Sequence, residues 1–158
     1  MIASIDGYAF IKTVHIVTAT ILFGTGLGTA FFFWSSRRAD DSARLFAAST
    51  TVRADVLFTL PAVILQPLTG AWMAWRAGFD LRDPWLALSI ALYLLAGLCW
   101  LPVVGLQIRM KKMLGAKVRG GEFDHGAFVR LQRLWFILGW PAFGGLLVVF
   151  FLMVAKPG

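Results

Sequence analysis

Two histidines and one cysteine bound the chemistry open to this 158-residue chain. His15 stands in an apolar stretch, where a neutral imidazole either ligates a haem iron through one ring nitrogen or hydrogen-bonds to a neighbouring helix. The residue alone leaves both readings open. His125, beside Asp124 in a charged segment, reads as a solvated side chain that cannot reach an iron held by His15. Two histidines cannot supply the four axial ligands of a two-haem membrane cytochrome. Cys99 is the single cysteine, which excludes a quinone-linked disulfide oxidase, because thiol–disulfide exchange needs a pair. Gln66, Thr69 and Tyr93 also lie in apolar surroundings, where an unpaired polar group is costly and must find a partner. Thr69 is one helical turn from Gln66. With His15, these residues either tie helices together or line one pocket for a cofactor or lipophilic substrate.

The elements that must position these residues follow from composition. Apolar residues make up 59% of the chain and charged ones 15%, against roughly 25% charged in a soluble domain. Residues 13–36, 56–75, 84–108 and 134–155 carry no charge at all. A bilayer core about 30 Å thick is crossed by about 20 helical residues. The chain therefore reads as one all-α membrane domain over residues 1–158, a bundle of four transmembrane helices spanning approximately 8–34, 55–75, 84–108 and 134–155. Charge-free spans disfavour an ion-coupled carrier or small multidrug transporter, which places a titratable group at mid-depth. Met1–Asp6 lacks the basic start of a cleaved leader, so the first helix is expected to be retained.

Loop charge gives an orientation. Arg37, Arg38, Arg44, Arg53, Arg109, Lys111, Lys112, Lys117, Arg119, Arg130 and Arg133 fall on one side. Lys12, Arg76, Arg82 and Lys156 fall on the other. The positive-inside rule then predicts N-out, C-out, with His15 roughly 10 to 14 Å outward of the middle of its helix at about 1.5 Å per residue. The basic loop after the third span is explained by anionic lipid headgroups and topology control, not by nucleic acid.

Local signals agree with four helices. Asp6 and Asp124 are placed to cap the first and last, Asp83 precedes Pro84 at the start of the third, and residues 37–53 suggest a short surface helix. Phe128, Leu131 and Leu134 form an amphipathic lead-in to the last span. Trp34, Trp75, Trp85 and Trp135 lie at run edges and read as interfacial anchors. Gly24 and Gly28, four apart, suggest a face where two helices approach closely. Pro61, Pro67 and Pro141 predict kinks.

Three segments carry a likeness: Phe10-Ile11-Lys12-Thr13-Val14-His15-Ile16 with Leu22-Phe23-Gly24-Thr25-Gly26-Leu27-Gly28, Trp135-Phe136-Ile137-Leu138-Gly139-Trp140-Pro141-Ala142-Phe143, and Leu152-Met153-Val154-Ala155-Lys156-Pro157. They resemble the bacterial predicted integral membrane proteins grouped as domain-of-unknown-function family 2269. That resemblance covers nearly the whole chain and implies architecture and location but no activity. More distantly, Lys12-x-x-His15-Ile16 and the Lys-Pro terminus are similar to HemJ-type protoporphyrinogen oxidases and CopD-type copper-resistance membrane domains. The HemJ likeness implies that His15 serves haem. The lysine that this type carries in its third helix has no counterpart, since residues 84–108 contain none.

Two functions from different classes are therefore expected to compete. One is a non-enzymatic accessory or structural subunit of the bacterial inner membrane, contacting lipid, a partner subunit or a second copy of itself. The other is a redox protein that holds haem b or a related porphyrin on His15, with Gln66, Thr69 and Tyr93 around it.

Overall fold

A computed structural model describes residues 6–157. The reading of Met1–Asp6 as a retained start falls, Asp6 apart, outside the described residues. The chain forms helices α1 (Gly7–Ser35), α2 (Asp41–Ala54), α3 (Leu60–Ala77), α4 (Pro84–Val118) and α5 (His125–Ala155). A π-helical turn, Asp55–Thr59, joins α2 to α3 without a break. The resulting continuous helix Asp41–Ala77 and the three others are long and apolar enough to cross a membrane. Among the described residues there is no strand.

The bundle is covered with apolar side chains. Leu98 is 70% exposed and Val154 87%, a surface that only lipid can satisfy. One end of the bundle gathers the start of α1, the α3–α4 turn and the end of α5. There Tyr8 stacks on Trp72, and the Lys156 ammonium lies 4.7 Å from the Phe79 ring. The other end carries the 36–40 and 119–124 connections and most of the basic residues.

Caps and breaks behave as the residue types require. The Asp6 carboxylate accepts from the Tyr8 N–H, Asp40 from Ala43 and Asp124 from Ala127. Asp83 makes no such bond, and Pro84 alone marks the start of α4. At the end of α3, Gly78 takes φ +72°, and the Phe79 N–H reaches back to the Ala74 carbonyl, a closure that needs a residue without Cβ. Pro61 has no N–H to offer the helix, and the turn just before it widens so that the Leu60 N–H bonds to the Asp55 carbonyl, five residues back.

Several expectations are corrected. The segment after the third span is not a basic loop: α4 continues to Val118, and α5 begins at His125. The 37–53 segment does not lie flat on a surface. Its helix α2 runs straight into the second span and packs on α4, burying Ala47, Ala48 and Thr51. The basic end is thus a small helical core beyond the charge-free runs, built from Ala47, Ala48, Met110, Leu114 and Phe128. Trp34 and Trp75 are exposed as anchors should be, but Trp85 and Trp135 are 7% and 6% exposed. Each is turned inward by an edge-to-face partner, Phe79 for Trp85 and Phe33 for Trp135. Gly24 and Gly28 do not mark a close helix approach within the chain, since a Cβ added at either would meet nothing within 4 Å. The close approaches fall at Gly70, against the His15 ring at 3.3 Å, and Gly145, against the Leu92 carbonyl at 3.7 Å.

Candidate functional site

The structure brings His15, Gln66 and Thr69 together where α1 crosses α3. His15 Nδ1 lies 2.7 Å from Thr69 Oγ1. With the Thr69 hydroxyl proton on the Leu65 carbonyl at 2.7 Å, the threonine oxygen accepts and Nδ1–H donates. In that tautomer Nε2 carries the ring's lone pair. Gln66 Nε2 spends both hydrogens on α1, one on the His15 carbonyl at 2.7 Å and one on Thr18 Oγ1 at 2.6 Å. Tyr93 does not join this group directly. Its hydroxyl donates to the Val63 carbonyl at 2.6 Å and ties α4 to α3, although Tyr93 and Gln66 share the wall of a small cavity of about 30 Å³.

These bonds fasten three helices in a setting where apolar contact alone gives little driving force. Gln66→Leu keeps the volume and removes two interhelical donors, while Thr18 stays satisfied through the Val14 carbonyl. The expected loss is about 1 kcal/mol of bundle stability, read as a lower unfolding midpoint in detergent. A loss above about 3 kcal/mol would mean that Gln66 holds more than these two bonds.

Haem sets a stricter test. An Nε2 lone pair whose partner nitrogen is held by a hydroxyl has the chemistry of an axial ligand. His15 lines neither the small cavity nor the larger cleft described next; the α1 residues nearest to it in their walls are Ala19 and Leu22, four and seven positions on. Among the described residues there is likewise no group of three or more His, Cys, Asp or Glu side chains able to hold a metal ion.

The larger cleft, about 390 Å³, runs between α1, α3, α4 and α5 from Tyr93 toward the basic end. Its walls are apolar, with Trp34, Trp100, Trp135 and Trp140 among them. At its inner end stand Asp55, Thr59 and Gln107. Asp55 Oδ1 accepts from the Thr59 hydroxyl at 2.9 Å, and both residues belong to the π-helical turn.

The sequence reading missed this end of the molecule. The charge-free run begins at residue 56, one residue after Asp55, so a span read from absence of charge leaves this acid at its edge. In the structure Asp55 is buried inside the helix that spans. A signal was nevertheless present: Thr51, Asp55, Thr59, Gln66 and Thr69 recur at helical spacing along one face and are all buried. A polar stripe through an apolar helix must face the bundle interior.

Residues 9–157 match the model of the predicted integral membrane protein family DUF2269. No curated protein and no solved structure matches.

Proposed function

We propose, on the premise that this chain belongs to the DUF2269 family of predicted integral membrane proteins, that it is a non-enzymatic accessory subunit of the bacterial inner membrane. Both of its termini would then lie outside the cytoplasm. The supporting observation is how the outer-half polar groups are used. His15, Gln66, Thr69 and Tyr93 are engaged in bonds between helices, as structural side chains are, and His15 lines neither of the two cavities described. The basic end, with Arg109, Lys111, Lys112 and Arg119 projecting from the last turns of α4 and its C-cap, suits anionic headgroups. The lipid-facing glycines Gly24 and Gly28, open in one chain, suit contact with a second copy or a partner subunit.

A second reading has one observation in its favour, the hold of the Thr69 hydroxyl on His15 Nδ1, which orients the ring as an outer-shell partner orients an axial ligand. It makes the chain a b-type haem or porphyrin protein. One preparation separates the two. Protein produced with ample haem and purified in detergent is expected to show no Soret band and to co-purify with a stable membrane partner or as a homo-oligomer. A stoichiometric Soret band that vanishes in His15→Ala would overturn the accessory reading and establish the other.

A further inference from the structure

At the basic end of the large cleft an arginine is held ready for an anion. Trp34 lines the cleft, and Arg37 follows it by three residues. The Arg37 guanidinium lies 4.3 Å from the centroid of the Trp34 ring, and its Nε–H donates to the Trp34 carbonyl at 3.0 Å. These two contacts fix the fork and leave the N–H groups of both terminal nitrogens to a further partner. No acid among the described residues supplies it, since the ion pairs there join Asp41 to Arg44 and to Lys117. A second arginine stands at the same level. α1 and α5 touch through Phe33 and Trp135, ring centroids 5.3 Å apart. Arg37 lies four residues past Phe33 toward the basic end, and Arg133 two residues before Trp135. Arg133 is exposed, also has no acidic partner among the described residues, and shares a face of α5 with Phe136 and Trp140, which both line the cleft.

The cleft has the dimensions of one acyl chain. Its α1 wall runs from Leu22 to Trp34, about 18 Å at about 1.5 Å per residue, against about 15 Å for one leaflet's half of the hydrocarbon core. Its volume of about 390 Å³ lies within the usual range of small-molecule sites, roughly 300–1,000 Å³. The wall reaches the lipid-facing surface: Phe31 and Trp140 line it and are 66% and 67% exposed, and Trp34, beside the buried Phe33, is 42% exposed. Gly97 and Gly139 also line it, and a Cβ added at either meets nothing within 4 Å. These glycines leave width for a chain without bringing helices together.

Charge and size together select the occupant. A helix of a second copy, about 10 Å across, would need roughly 1,400 Å³ over that length. An uncharged lipophile brings nothing to the guanidinium. A phospholipid of the leaflet at the basic end supplies both parts at the right separation: a phosphate at headgroup level, which accepts a fork of hydrogen bonds from arginine, and a chain of leaflet length. We propose that the cleft is a selective site for one anionic phospholipid, with its phosphate on Arg37 and Arg133 and one acyl chain along the aromatic wall formed by Phe31, Trp34, Phe136 and Trp140. The site goes beyond the accessory role and does not depend on it. It also differs from the general attraction of the α4 lysines for anionic headgroups, which needs no cleft.

The test uses the full chain in nanodiscs of phosphatidylcholine. A minor fraction of brominated phosphatidylglycerol, or of brominated phosphatidylcholine with the same chains, is added, and quenching of tryptophan fluorescence is followed. Bromine quenches on contact, and Trp34, Trp100, Trp135 and Trp140 line the cleft. Quenching by the anionic lipid is expected to saturate at a roughly tenfold lower mole fraction than quenching by the zwitterionic one. Arg37→Gln and Arg133→Gln are each expected to remove most of that preference, and Gly139→Leu to weaken saturable quenching by both lipids by filling the cleft. Lys112→Gln, at the same end but on α4, is expected to leave the preference as it was. Equal saturable quenching by the two lipids would mean a chain site with no headgroup site, and quenching that never saturates would leave the cleft to a partner helix. A preference unchanged in both arginine variants, or lost as fully in Lys112→Gln, would reduce the effect to surface charge. Each of these results overturns the proposal. The comparison of the two lipids is made on the native chain, so it decides the matter even if a variant fails to fold.

Discussion

Phe128→Ala is expected to destabilise the basic end of the bundle by about 3–5 kcal/mol, the loss usual for a fully buried phenylalanine truncated to alanine. Phe128 is 1% exposed and sits in the cluster of Ala47, Ala48, Met110 and Leu114. The Phe123 ring lies 5.5 Å away, and the Arg44 guanidinium is 5.0 Å from its centroid. The size of the effect depends on location. Arg109, Lys111, Lys112, Lys117, Arg130 and Arg133 place this part of α4 and α5 outside hydrocarbon, where water supplies the driving force for burial that lipid does not. Hydrogen exchange is the direct measurement: amides of α2 should lose protection by more than about a hundredfold, since each 1.4 kcal/mol is a factor of ten. Leu98→Ala, on a side chain 70% exposed to lipid, is expected to change nothing measurable and serves as the control. A Phe128→Ala protein with undiminished α2 protection would mean that this end is not a cooperative core.

The four crossings were legible because absence of charge is a strong signal in lipid: a single charged side chain there is expensive, so runs of bilayer length without one are informative. The same reasoning marked helix starts at Asp6 and Asp124, where a carboxylate meets free N–H groups. It also failed in a physical way at Asp55. Treating the first charge as the end of a span assumes that every charge faces water, whereas a carboxylate bonded to Thr59 can sit inside the bundle. Trp85 and Trp135 were misplaced for a related reason. An indole at a run edge satisfies either the headgroup region or an aromatic partner across the bundle, and only the positions of Phe79 and Phe33 decide between them. Glycine spacing was equally ambiguous. Gly24 and Gly28 have the spacing of a close approach and face open space, while Gly70, in no such pair, lies against His15. Which glycines meet another helix depends on helix rotation, and in a chain apolar on all sides no hydrophobic periodicity fixes it. The His15–Thr69–Gln66 group was within reach of sequence because polar residues in lipid must pair, though the sequence could not show that Tyr93 turns away to Val63.

Gly145→Leu is expected to separate α4 from α5 and to lower the stability of the bundle by about 1–3 kcal/mol, the usual cost of overpacking. These two helices form the most extensive helix pair in the molecule. At Gly145 a Cβ would already stand 3.7 Å from the Leu92 carbonyl oxygen and 3.9 Å from its side chain. Alanine therefore fits in ordinary contact, but the further carbons of leucine meet the α4 backbone, which cannot swing aside as a side chain would. Gly144 is the internal comparison. It is the preceding residue on the same helix, yet an added Cβ there meets nothing within 4 Å, so Gly144→Leu should leave the unfolding midpoint within about 0.5 kcal/mol of the parent. The pair of substitutions adds the same atoms to adjacent positions, so hydrophobicity, helix propensity and expression are matched and only the facing surface differs. Denaturant unfolding in a fixed detergent gives the two midpoints. Equal shifts in both would show that α5 is rotated from the position described. A large shift at Gly145 alone fixes which face of α5 meets α4, and with it the placement of Gly139 and Trp135 in the wall of the cleft.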